Sequence, residues 1–395
     1  MSRKLSRRSL LAGVAAGGVV GAAGCLSPGH RGWSRSIPGA VDGMAAGDGV
    51  VSLGNKNKHA YSIDARNGET VWSFETGGPV REAPIPLDDG AVVRSSDGTV
   101  YGLSAAGEER WRHAFEVRVQ DLAVVDGTAY LLGTTFETGE SPTDRLRLLA
   151  VDATTGEEYW RRTLDEADGT LAVAGGTVGV SVDETRALHG FDRETGEERW
   201  TDAGGTVRGV GDTLLNLNRS GHWAYGPDGT KRWGRRVENG PRLRGYHAGS
   251  DTVYFRDLHG LLSAVDATTG EERWRVEDTA SAVAVLDDTV VVGQSNDYDV
   301  DAPDVPTLLA KAPESGDVQW QTAKNRRECR ELRPDGDGVV AEFEEEDYEP
   351  RLRRFGADGS GSWQSDAEIG LGVVVDGRVI GGSDDGIAAI EPGYL

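Results

Sequence analysis

The sequence predicts an all-β protein, a propeller of four-stranded antiparallel blades, and two observations carry that prediction. A glycine is followed four residues later by a tryptophan at Gly68/Trp72, Gly107/Trp111, Gly156/Trp160, Gly196/Trp200, Gly229/Trp233, Gly270/Trp274, Gly316/Trp320 and Gly359/Trp363. Successive tryptophans lie 39, 49, 40, 33, 41, 46 and 43 residues apart, so one supersecondary unit fills most of the 395-residue chain. Within each period the chain offers short apolar runs separated by glycine turns, which suits strands of a meander. Such a fold serves many unrelated tasks, so architecture alone assigns none.

The clearest copies of the unit are Val151-Asp152-Ala153-Thr154-Thr155-Gly156-Glu157-Glu158-Tyr159-Trp160 and Val265-Asp266-Ala267-Thr268-Thr269-Gly270-Glu271-Glu272-Arg273-Trp274. The aspartate ending a strand can accept hydrogen bonds from backbone amides two residues on, and the glycine takes the positive φ of the turn. The next strand carries an indole at a fixed step, where it fills the gap between neighbouring blades. Trp72, Trp111, Trp160, Trp200, Trp233, Trp274, Trp320 and Trp363 are therefore read as structural, on strand D, the outer strand of an A-B-C-D blade.

The earlier strands of a unit are visible around Trp111. Strand A is expected over Glu82–Leu87, B over Ala91–Ser95 and C over Thr99–Ser104, with Asp97-Gly98 as the B–C hairpin. Beyond Trp363 there are three strand signals, Leu371–Val375, Arg378–Gly381 and Ile387–Ile390, but no D strand. Trp33 stands 39 residues before Trp72 and supplies the missing one, so that the termini share a blade and hide two sheet edges. Counting D strands gives nine blades. Eight is the more usual number for such propellers, and a merged blade at the short unit ending in Trp233 would restore it.

Residues 1–24 read as a processing signal, with Arg3, Lys4, Arg7 and Arg8, no acids, and an apolar run from Leu10 to Ala23. Ser6-Arg7-Arg8-Ser9-Leu10-Leu11 resembles the twin-arginine export signal, with Arg7 and Arg8 as its pair. Ala22-Ala23-Gly24-Cys25 resembles a lipobox, which makes Cys25 the lipidated first residue of the mature chain. Ordinary signal cleavage and an uncleaved anchor are the alternatives. Residues 25–32 form the lipidated cysteine and a short tether, and 33–395 the propeller. The expected location is the outer face of the cytoplasmic membrane.

Net charge is −23, and removing the four basic signal residues leaves −27. Only six of the 42 basic residues are lysine. Surplus acid keeps a surface hydrated in strong salt, and with the export signal this resembles exported proteins of extreme halophiles. It argues against nucleic acid as a partner. With Cys25 lipidated, Cys329 has no disulfide partner.

The turn Asp-Ala-x-Thr-Gly-Glu followed by tryptophan resembles the pyrroloquinoline-quinone repeat family over residues 33–395. That family includes quinoprotein alcohol dehydrogenases and non-enzymatic propeller lipoproteins that scaffold outer-membrane assembly in bacteria. The resemblance implies the propeller strongly and activity weakly. Enzymes of the family use adjacent cysteines, calcium ligands and an aspartate base. This chain has no adjacent cysteines and no cysteine-x-x-cysteine-histidine for haem, so no cofactor and no catalytic residue is assigned. A quinone-dependent dehydrogenase and a binder of polysaccharide or another small ligand are kept as alternatives to a monomeric scaffold for protein partners.

Other chemistry is thin. Asp297, Asp299 and Asp301 alternate like a calcium loop, but Ala302 stands where its glycine belongs and Leu308 where its closing glutamate would be. They are weak metal candidates, read as a solvated acidic loop. The acidic run from Glu342 to Glu349 reads as a surface hairpin, and His59, His189, His222 and His259 as residues near hairpin rims. In a four-stranded meander the B–C and D-to-A loops open on one rim, and the A–B and C–D loops on the other. The longest insertions, Thr134–Arg145, Ser295–Pro306 and Glu344–Pro350, are all B–C loops. Variable loops on one face of a repeat array make that face the expected partner surface.

Overall fold

A computed structural model describes residues 32–137, 143–218, 221–236, 243–249, 251–257, 259–277, 280–294, 306–322, 328–344, 350–365, 372–383 and 386–390. These residues form nine four-stranded antiparallel sheets, and no helix occurs among them. Blade 1 spans 41–75, blade 2 85–114, blade 3 118–164, blade 4 169–203 and blade 5 206–236. Blade 6 spans 243–276, blade 7 280–321, blade 8 328–365, and blade 9 joins 373–390 to 34–36. Blade 5, the short unit, is complete, so nothing merges and the count is nine. It is short because tight hairpins join its strands Thr206–Val210, Thr213–Asn218, Gly221–Tyr225 and Lys231–Arg236.

The termini close the ring as expected. Ser34, Arg35 and Ser36 pair with Ala388, Ile387 and Gly386, and the Trp33 carbonyl accepts from the Ala389 amide at 2.8 Å. Two expectations need correction. Strand A of blade 2 is only Ile85–Leu87. Pro84 has no N–H to give a ladder, and Glu82 is drawn into an ion pair with Arg94 instead. The segment Thr134–Arg145 is not a loop from end to end, because the B and C strands of blade 3 run on as Thr128–Glu137 and Thr143–Asp152, paired to Glu137↔Thr143.

The core lies between blades rather than at one centre. Tyr130, Leu148 and Trp160 of blade 3 meet Val178, Val180 and Phe191 of blade 4, and the pattern recurs around the ring. Each B strand is covered on both faces, so it reads as a continuous apolar run, and all six residues of Thr177–Val182 are buried. Cys329 is a buried thiol between blades 7 and 8, packed with Ala282 and Phe343.

Candidate interaction face

The rim of A–B and C–D turns is built from the repeated motif. Asp152 Oδ1 accepts from the amides of Thr154 and Thr155 at 3.0 and 2.7 Å, and the Gly156 amide donates back to the Asp152 carbonyl at 2.8 Å. Asp192 and Asp266 repeat this geometry. Burial pushes Asp266 up, but the Arg273 guanidinium and the Thr269 and Thr268 amides outweigh it and bring its pKa down to about 2.

The turn glycines do more than bend the chain. Each lies against the tryptophan of the preceding blade, so a Cβ at Gly68 would strike Trp33, at Gly107 Trp72, at Gly156 Trp111, and at Gly196 Trp160. Gly229, Gly270, Gly316 and Gly359 meet Trp200, Trp233, Trp274 and Trp320 in the same way. In several blades the indole N–H donates to the carbonyl of the residue after the motif aspartate, as Trp111 does to Ala153 at 3.0 Å, Trp160 to Arg193 at 3.1 Å and Trp233 to Ala267 at 2.9 Å, whereas the buried N–H groups of Trp200 and Trp320 have no such acceptor. Trp33 donates in the same way to Ala65 at 3.0 Å, so it occupies a regular blade position. Trp200 stacks on Tyr225 and Trp320 on Phe355. The Trp363 side chain lies outside the described residues.

A feature of this rim was not foreseen. In every C–D pairing of blades 1 to 8 the register slips one residue before the tryptophan, leaving Val71, Arg110, Tyr159, Arg199, Arg232, Arg273, Gln319 and Ser362 as bulge residues. A bulge re-aims the side chain it carries. Each directly precedes the motif tryptophan and four of the eight are arginine, but only the pairing register shows that they leave the ladder.

The opposite rim, of B–C and D-to-A segments, is irregular. Strand A bulges at Asp42, Gln120, Arg244, Ser281 and Arg330. Polar contacts there step from blade to blade. Arg94 of blade 2 donates to the Gln120 carbonyl of blade 3 at 2.6 Å, and Gln120 Nε2 to Asp168 at 2.8 Å. Arg256 donates to the Ser281 carbonyl, Ser281 Oγ to the Cys329 carbonyl at 2.6 Å, and Arg333 to the Gly372 carbonyl at 3.1 Å. Burial pushes the Arg94 guanidinium below its ordinary value and Glu331 above its own. These contacts hold neighbouring blades in register. Val117 and Phe136, both exposed, stand on this rim, where the Val117 amide donates to the Thr134 carbonyl at 3.1 Å.

Among the described residues no group of three or more His, Cys, Asp or Glu is placed to hold a metal ion. Asp297, Asp299 and Asp301 lie outside the described residues, as do Arg7, Arg8, Cys25 and the tips of the three B–C hairpins. His59 opens a C strand and His259 sits in a B–C turn, near the rim. His222 is equally near its hairpin, one residue into the C strand, but it is buried, its ring 4.9 Å from and parallel to Phe255 of the next blade. Burial, then the Arg235 charge, push its pKa below the usual histidine value.

Comparison with known proteins adds a family. The model described as outer membrane protein assembly factor BamB matches residues 17–140, 106–220 and 223–348. The outer membrane protein assembly factor BamB of Burkholderia pseudomallei is 24% identical over 272 residues, 67% of this chain and 62% of the relative. The serine/threonine-protein kinase AfsK of Streptomyces coelicolor is 27% identical over 60% of this chain and only 26% of its own length. The chain thus spans less than two thirds of either relative. Among solved structures, the computationally designed Ika8 protein covers 91% of this chain and 98% of its own with a TM-score of 0.56 and 13% identity, a likeness of fold.

Proposed function

We propose that this chain, which belongs to the outer membrane protein assembly factor BamB family of repeat propellers, is an exported, lipid-anchored scaffold that binds protein partners on its B–C rim. The observation that carries the reading is the asymmetry of the two rims. The C–D rim is locked turn by turn by a glycine seated on the tryptophan of the preceding blade, whereas the longest insertions in the sequence fall on the B–C rim. A rim free to vary in length is where partner-specific contacts can be built.

Export and anchoring rest on the sequence. Arg7 and Arg8 supply the twin-arginine signal and Cys25 the lipid, and residues 26–32 tether the body. Seven extended residues span at most about 25 Å, which holds the propeller close to the outer face of the membrane. Net charge of −27 on the mature chain suits a saline exterior.

The test is affinity capture from membranes in molar salt, using the lipidated full chain and a variant whose residues 136–144 are replaced by a two-residue turn. A set of proteins retained by the first and lost by the second is the expected result. Identical capture by both would remove the B–C rim from the proposal. A Cys25→Ser chain should be exported and released into the medium; its retention on membranes would refute the lipid anchor.

A further inference from the structure

In blades 2, 5, 6 and 7 the residue at the bulge before the tryptophan reaches the A–B turn of its own blade and bridges to it. Arg110 reaches Asp89 at 2.7 Å, Arg232 reaches Asp212 at 2.7 Å, and Arg273 reaches Asp251 at 3.0 Å. In blade 7, Gln319 Nε2 donates to the Asp288 carbonyl at 2.9 Å. Blade 1 places Val71 there.

Blades 3 and 4 break the pattern together. Blade 3 has Tyr159 at its bulge, and its A–B acid, Asp126, accepts from Arg193 of blade 4 at 2.7 Å instead. Blade 4 has no acid in its A–B turn, which is Gly175-Gly176, so Arg199 folds back on Asp192. A cleft of about 620 Å³ opens between the two blades where the bridges are missing. That is within the roughly 300–1,000 Å³ of small-molecule sites.

The lining is pre-organised. Tyr159 is 54% exposed, yet its hydroxyl donates to Asp152 Oδ2 at 2.9 Å, so the ring is held while a face stays open. The floor is fixed by Arg193, whose Nε donates to the Tyr130 hydroxyl at 3.0 Å and whose Nη1 donates to the Gly175 carbonyl at 3.3 Å. A Cβ at Gly176 would meet nothing within 4 Å, so the wall stands back from the space.

We propose that this cleft is a saccharide-binding site. Its lining carries two ion pairs, Arg193 with Asp126 and Arg199 with Asp192, which set donors beside acceptors, and Glu194 adds one acid in excess. Such a lining disfavours anions and offers the hydroxyls of a neutral polyol both donors and acceptors. The C–H face of a pyranose packs on the electron-rich face of Tyr159, and the carboxylates and Arg199 take its hydroxyls. The site lies on the C–D rim, so it is separate from the B–C partner surface and can be tested apart from it.

The experiment is calorimetry of the full propeller with cellobiose, maltose and N-acetylglucosamine, and with choline as a cationic control. Saturable binding of a saccharide and none of choline is expected. Tyr159→Ala should weaken it by about tenfold, while Tyr159→Phe keeps the ring and most of the binding. Tyr159→Arg, which copies blades 2, 5 and 6, and Gly176→Leu, which fills open space, should abolish it with melting temperature preserved. The proposal is overturned if none of the three sugars saturates, if choline binds in their place, or if binding survives both Tyr159→Arg and Gly176→Leu.

Discussion

At one end of blade 3, Asp152 and Gly156 hold a five-residue turn against Trp111 of blade 2; at the other, the strands run on to Glu137 and Thr143 and touch no such template. Both ends belong to the same sheet. The C–D end is specified by three interactions that each need a particular residue, an acceptor carboxylate, a residue of positive φ and an indole. The B–C end is tied by Thr134 to the neighbouring segments, and beyond that residue it is specified by strand pairing, which does not fix its length. Mechanical necessity fills the first rim, and the second is left to whatever the protein must contact.

The contrast can be pressed experimentally. Gly156→Val puts a branched side chain at φ 74° against Trp111 atoms 2.4 and 2.6 Å away. Strain and overpacking together should cost roughly 2 to 5 kcal/mol, read from the urea midpoint; a loss as small as that of a surface change would dissolve the distinction between rims. Trp33→Ala should cost at most about 3 kcal/mol, the lower bound for a fully buried tryptophan, because Trp33 is partly exposed. No change would mean that the seam of the ring does not depend on its indole.

Acid titration sharpens the same point. Asp266 has a folded pKa of about 2, depressed from its ordinary value, so its contribution is present above pH about 4 and lost as pH falls through about 2. Asp266→Asn should therefore lose stability relative to the parent at pH 5 and converge with it near pH 2, by urea titration at each pH. A difference independent of pH would assign the effect to packing. Smallest of all, replacing residues 136–144 by a tight turn should shift stability by no more than about 0.5 kcal/mol.

Much of this was legible in the chain because the motif residues do the same job in each blade. Trp33 could be placed in blade 9 from a single spacing, and its contacts with Ala65 and Ala389 match those of an internal tryptophan. What could not be read were features that depend on a slip of register. Tyr159 looks like one more aromatic on a β strand until the pairing Ala150↔Trp160, Val151↔Glu158 leaves it out of the ladder. Strand-A bulges at Asp42 and Gln120 are hidden for the same reason. His222 does lie beside its hairpin, but its burial could not be read, because the ring that covers it, Phe255, belongs to the next blade. Pro84 shows the reverse case, a residue whose missing donor could have shortened strand A of blade 2 in advance.

The seam in blade 9 sets a constraint on folding. Its D strand is three residues long, where that of blade 4 is six, and about 350 residues of sequence separate it from its partner, Gly386–Ile390. Blades 1 to 8 close on strands that are neighbours in sequence, but the ring stays a crescent with an unpaired edge at each end until this distant pair forms. Until then the open edges can pair with those of a second copy, so a domain-swapped dimer would be joined at the seam.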